Sequence, residues 1–192
     1  MKQGLVVGLD TATTTGAAWH HPGMPRPYWD AFKLRGDARE IGKRCDHLDE
    51  YLSKLHKAYA DVGGITHLFL EEQHLGHVGG KPGQPRRSIA PETLKMLMGL
   101  SAMAQTFAFQ IGAKCYEVSI AEWRKHFLGR GTGFKAKGED PKELSIQRCA
   151  QYGWHTDSPD AAEACGILDY SLTMIPDYVR PWRDNALLGG IR

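Results

Sequence analysis

The stretch Gly4-Leu-Val-Val-Gly-Leu-Asp10-Thr-Ala-Thr-Thr-Thr-Gly16 sets the terms for the rest of the chain. An apolar run ends on a carboxylate, and a Thr-rich turn closed by glycine follows. A short apolar run bounded by turn residues reads as a buried strand. A carboxylate at the mouth of such a strand is expensive to desolvate unless something cationic meets it. Asp10 is therefore either a metal ligand or a cap on the turn made by Thr11 to Thr14, because Asx-turns often follow strands. The choice rests on whether other carboxylates arrive at the same place.

Gly16 to His20 reads as a second strand, His21 to Pro27 as a turn, and Tyr28 to Leu34 as a third strand, giving an antiparallel meander. Asp37 can cap a helix from Ala38 to Ala60, with Ile41, Cys45, Leu48, Leu52, Leu55 and Tyr59 at helical spacing. Gly63 and Gly64 stop it. Ile65 to Leu70 is a fourth strand that again ends on acid, Glu71-Glu72. Gly76 to Ala90 is rich in Gly and Pro and reads as an exposed loop. Pro91 opens a second helix to Ile111, so apolar that it is expected to be buried. Lys114 to Ser119 is a short fifth strand, and Ile120 to Phe127 a helical turn. A glycine- and lysine-rich loop, Gly129 to Gly138, leads to helices over Pro141 to Tyr152 and Pro159 to Met174. Three meander strands followed by strands alternating with helices give an α/β domain, a five-stranded mixed sheet flanked by helices. The domain is expected to span residues 1–176, with 177–192 as a C-terminal arm on the surface or in a dimer contact.

At 192 residues, the chain can bury a good core without disulfides. Cys45, Cys115, Cys149 and Cys165 form no C-x-x-C pair and read as packing thiols of a reducing compartment. The first strand is expected to begin the chain with no signal peptide before it. Leu97 to Ala113 is the longest apolar stretch, and Ser101, Gln105, Thr106 and Gln110 leave it too polar to span a bilayer. A cytoplasmic protein with no membrane partner is expected. The net charge of +2 demands no nucleic-acid partner, so any such partner must be met by local basic patches.

Acid gathers at three places. Asp10 ends the first strand, and Glu71 directly follows the apolar run of the fourth. Asp160 and Glu163, at i and i+3, share one face of the last helix, beside the small residues Ala161, Ala162 and Ala164. Taken singly, the last pair reads as compensation of the helix dipole and Glu71-Glu72 as a strand reaching solvent. Taken together, four carboxylates in one place repel unless divalent cations sit between them, and hard oxygen ligands select Mg²⁺ or Mn²⁺. Two such ions activate water and stabilise the leaving oxygen in phosphodiester cleavage.

These motifs resemble those of the RuvC-type Holliday-junction resolvases of the RNase H-like superfamily, especially their phage-encoded relatives. The resemblance is carried by Gly8-Leu-Asp10 with Thr15-Gly16, Leu68-Phe-Leu-Glu71-Glu72, Ile120-Ala-Glu-Trp-Arg-Lys-His-Phe-Leu-Gly-Arg-Gly131 and Asp160-Ala-Ala-Glu163-Ala. It implies an RNase H-like fold and a homodimer that cuts branched DNA. It also implies two Mg²⁺ or Mn²⁺ ions per site, with Asp10, Glu71, Asp160 and Glu163 as ligands. Lys142 would match a lysine facing the scissile phosphate. The family's last acid is usually Asp, and here Glu163 is one methylene longer. The adjacent Glu72 leaves the register of the fourth-strand ligand open.

Two basic segments suit a phosphate backbone. One holds His74, His77, Lys81, Arg86 and Arg87; the other holds Arg124, Lys125, His126, Arg130, Lys135 and Lys137 among glycines. Phe134 offers a ring to an unpaired base. His74 and His77 lie near Glu71, but no further soft ligands accompany them for zinc. No G-x-x-x-x-G-K-[ST] motif occurs, so no nucleotide cofactor is expected. The alternatives are a catalytically silent or differently specific nucleic-acid-binding relative and an actin- or sugar-kinase-like phosphotransferase. The kinase-like fold needs about twice this length.

Overall fold

The computed structural model describes residues 4–37, 39–73, 90–134 and 137–183. Strands β1 (Leu5–Asp10), β2 (Thr14–His20), β3 (Tyr28–Lys33), β4 (Ile65–Glu71) and β5 (Lys114–Val118) form one sheet in the order β3-β2-β1-β4-β5. The three-strand meander pairs antiparallel, while β4 pairs parallel to β1 and β5 parallel to β4. The sheet is mixed, as the sequence pattern indicates, because the turns after β1 and β2 are short while β4 and β5 return through helical crossovers.

Alternation along each strand sorts side chains to two cores. Leu5, Val7 and Leu9 of β1 and Leu68 and Leu70 of β4 pack under α1 (Ile41–Ala58) and α2 (Pro91–Gln110). Val6 and Phe69 face the other way, against α3 (Ile120–Leu128), α4 (Pro141–Gln151) and α5 (Pro159–Ser171). A 3₁₀ turn, Ala60–Val62, separates α1 from the Gly63 stop, and another, Leu172–Met174, extends α5.

The observed elements correct two expectations. Helix α1 starts at Ile41, not Ala38, and no side chain caps it. The Asp37 carboxylate is turned to the Arg39 N–H, and Glu40 reaches back to the Asp37 N–H, so a closed turn stands where the first helical turn was expected. Helix α2 is buried along one stripe only, Met96, Leu100, Ser101, Ala104, Phe107 and Ala108. Its other face lies open, with Met98 49% and Phe109 85% exposed, because α2 meets the sheet and α1 on one side alone.

Beyond Pro176, Tyr178 and Trp182 are buried in the second core. The Tyr178 hydroxyl pairs with His20 Nδ1 at 2.8 Å, and Trp182 Nε1 donates to Asp169 at 2.8 Å. Among the described residues, no helix is long and apolar enough to cross a membrane.

Candidate metal centre

Strand parity brings the first two acids together. Leu9 pairs with Leu70, so Asp10 and Glu71 stand one step further on, at the adjacent ends of β1 and β4. Both have the parity of Val6, Gly8 and Phe69, which face α5. Glu72 falls on the opposite parity and is exposed; its N–H donates to the Val118 carbonyl at 2.9 Å. Parity thus turns Glu71, and not Glu72, toward the face on which α5 lies.

Helix α5 brings the other two. It crosses β1 and β2 at glycines, where the backbones approach too closely for a side chain. A Cβ on Gly8 would lie 2.8 Å from the Leu168 nitrogen, and one on Gly16 would overlap the Asp160 carbonyl. Gly16 is the register partner of Asp10, so this contact sets the first turn of α5 beside Asp10. Ala161, Ala162 and Ala164 are buried against the sheet, and the Ser158 hydroxyl caps the helix by accepting from the Ala161 N–H at 3.3 Å. Asp160 and Glu163, one turn apart, then project to Asp10. One carboxylate oxygen from each of Asp10, Asp160 and Glu163 lies within 4.8 Å of the other two.

The electrostatics follow from crowding acids at a buried seam. Asp10 is 8% and Glu163 3% exposed. Burial, then the charges of Glu71 and Glu163, hold the Asp10 carboxyl well above the usual carboxylate range. Burial and the Glu163 charge push Glu71 up to about 7, against the pull of the Trp123 hydrogen bond and of Arg124 and Lys142. No hydrogen bond reaches the Asp10 carboxylate among the described residues. The turn after β1 is held by Thr15 Oγ1 donating to the Ala12 carbonyl and by Leu34 N–H donating to Thr13. The cap reading of Asp10 therefore has no counterpart in the structure.

Among the described residues, two cations enter the cluster. Lys142 Nζ lies 2.6 Å from Asp160 Oδ1 and 3.7 Å from Glu163 Oε2. Burial alone would lower the Lys142 ammonium, but the Asp160 hydrogen bond and the charges of Glu163, Asp160 and Asp10 outweigh it and hold it raised. Arg124 Nη2 donates to Glu163 Oε1 at 2.6 Å, and Trp123 Nε1 to Glu71 Oε2 at 3.0 Å. Among the described residues, the grouped ligand atoms are all hard carboxylate oxygens, without thiolate or imidazole. A close-set, mutually repelling group of this kind fits a divalent cation such as Mg²⁺ or Mn²⁺.

The expected DNA-contacting residues divide. Lys125 and Lys137 are exposed. Arg124 is drawn inward onto Glu163, and Arg130 pairs with Glu139 while its guanidinium covers the Phe134 ring at 4.9 Å. Phe134 is only 5% exposed, so the ring expected to stack on a base is instead packed under Arg130. Lys81, Arg86, Arg87 and Lys135 lie outside the described residues, as do His74 and His77.

Pattern reading missed two features of this region. One is the Trp123 contact with Glu71. The adjacent Trp-Arg pair in the middle of α3 is its local signal. The other is Asp169, fully buried at the far end of α5 and met by His126, Arg180, Arg183 and Trp182. Burial alone would raise Asp169, but hydrogen bonds from His126 and Arg183, the Arg183 charge and the Trp182 N–H together hold it at about 2.

No protein-family model and no curated protein matches the sequence. Solved structures do match in shape. The Thermus thermophilus RuvC structure superposes with a TM-score of 0.57 at 15% sequence identity, over 88% of this chain and 96% of that one. T. thermophilus RuvC in complex with Holliday junction substrate matches with a TM-score of 0.61 at 14% identity, over 89% of this chain and 96% of that one. The yeast mitochondrial Holliday junction resolvase Ydc2 matches with a TM-score of 0.56 at 10% identity, over 96% of this chain and 80% of that one. At such identities the likeness is one of fold. With its five-stranded mixed sheet, the chain has the RNase H-like fold of RuvC.

Proposed function

We propose, from the RNase H-like fold this chain shares with RuvC, that it is a divalent-metal-dependent endonuclease that resolves Holliday junctions, acting as a homodimer on branched DNA. The observation that carries this reading is the convergence of Asp10, Asp160 and Glu163 within 4.8 Å at the end of β1, with Glu71 at the neighbouring strand end. Those four side chains would hold two Mg²⁺ or Mn²⁺ ions. When bound, such ions activate water and stabilise the leaving oxygen of a phosphodiester.

The chain's own residues supply the rest. The four carboxylates would set the position at which a phosphodiester must lie to react. Lys142, its side chain 46% exposed beside Asp160, would meet the scissile phosphate. Arg124 reaches Glu163 from α3 and would offer its remaining donors to a neighbouring phosphate. Lys125, Arg130, Lys137, Lys135, Lys81, Arg86 and Arg87 would carry the flanking backbone by charge. The open face of α2, bearing Met98 and Phe109, supports a dimer that presents two such sites. The phage-like branch of the family remains part of this reading.

Asp10→Asn tests the assignment. It removes a ligand and leaves every basic side chain in place. Cleavage should fall by more than about a hundredfold while junction binding stays as tight or tightens. Cleavage at the wild-type rate would refute the metal site.

A further inference from the structure

Helix α3 addresses two carboxylates with two consecutive side chains. Trp123 donates its indole N–H to Glu71 on β4, and Arg124 donates to Glu163 on α5. The Arg124 guanidinium also lies 5.1 Å from the centre of the Trp123 ring, so the two side chains hold each other. Trp123 is fully buried, and its seat is specific. It rests on Gly166 of α5, where a Cβ would come within 2.8 Å of its Cζ3. The indole is thus packed tightly against α5, and a buried indole N–H needs an acceptor. Glu71 is the acceptor provided.

The need is mutual. The Trp123 bond to Oε2 is the one hydrogen bond to the Glu71 carboxylate among the described residues. Glu71 is a three-torsion side chain at a strand end, facing the like charges of Asp10 and Glu163. Without a donor behind it, it would rotate away from them and regain rotamer entropy.

We infer that Trp123 is a positioning residue, whose indole N–H holds the Glu71 carboxylate in the orientation in which it ligates a divalent cation. The inference rests on the metal-ligand reading of Asp10, Glu71, Asp160 and Glu163. Donors behind a ligating carboxylate typically govern metal affinity by about 10–100-fold.

The experiment is a Mn²⁺ titration, followed by electron paramagnetic resonance, on the full chain and on four variants. Trp123→Phe keeps an aromatic ring and deletes the donor. Replacement of Trp123 by benzothienylalanine keeps the bicyclic shape and exchanges only the N–H for sulfur, so it decides the matter if the Phe variant folds poorly. Phe127→Leu perturbs the same core cluster without touching Glu71, and Asp10→Asn removes a ligand outright. Both Trp123 variants should bind Mn²⁺ about tenfold more weakly or worse, Phe127→Leu within about twofold of wild type, and Asp10→Asn scarcely at all. Wild-type affinity in the benzothienylalanine variant, with Asp10→Asn abolished, would overturn the positioning role while leaving the metal site standing. An equal loss in Phe127→Leu would overturn it too, by showing a general packing effect. Wild-type binding in Asp10→Asn would overturn the metal reading itself.

Discussion

Glu71 is the residue whose chemistry most depends on its neighbours. Its carboxyl, ordinarily near 4.5, is pushed to about 7 by burial and by the Glu163 charge. A folded-state value above the unfolded one means the folded protein holds this proton more tightly. That stabilisation is complete below about pH 4.5 and is lost as pH rises through about 7. Asp10, raised for the same physical reasons, acts in the same direction. A divalent cation must displace these protons to bind. Two results are therefore expected: with chelator present, the melting temperature falls between about pH 5 and about pH 8, and Mn²⁺ affinity tightens over that range. An affinity independent of pH across neutrality would show that Glu71 does not gain charge on metal binding.

At the scale of elements, the site is made by how closely α5 can lie on β1 and β2. Gly16 sits where a side chain would strike the Asp160 backbone, so Gly16→Ala must lift the first turn of α5 from the sheet. A cost of about 1–3 kcal/mol in thermal or denaturant unfolding is expected, with weakened Mn²⁺ binding because Asp160 moves from Asp10. Unchanged stability and affinity would mean that the approach at Gly16 does not set the site. The other end of α5 is anchored by Asp169, which holds Arg180, Arg183 and Trp182 of the segment after the helix. Its carboxyl sits at about 2 instead of 3.8. This contribution is fully present above about pH 4 and is lost as pH falls through 2, a difference of about 2 kcal/mol. Acid unfolding followed by tryptophan fluorescence should shift toward neutral pH in Asp169→Asn, because the variant has already lost the anchor.

At the scale of the whole molecule, the sheet and its acid-bearing strand ends were legible because they rest on short-range pattern. An apolar run fixes a strand and the acid that follows it, and the small Ala residues beside Asp160 and Glu163 let that helix lie close, while the choice between Glu71 and Glu72 needed the register of β4. The contacts that finish the site were not legible. Trp123 and Glu71 lie 52 residues apart, and Arg124 and Glu163 lie 39 apart, so only the packing of α3 on α5 brings them together. Periodicity cannot report which cation turns inward, and so Arg124 read simply as a DNA contact. Nor could it foresee that Arg130 would cover Phe134, or that α2 would leave Met98 and Phe109 exposed. The most direct test of the proposed function is a cleavage assay on a labelled four-way junction beside linear duplex and an RNA–DNA hybrid, with Mg²⁺, Mn²⁺ or chelator. Paired symmetric nicks confined to the junction and dependent on metal are expected. Tight junction binding with no cutting in either metal, or cutting of the hybrid in preference to the junction, would contradict it.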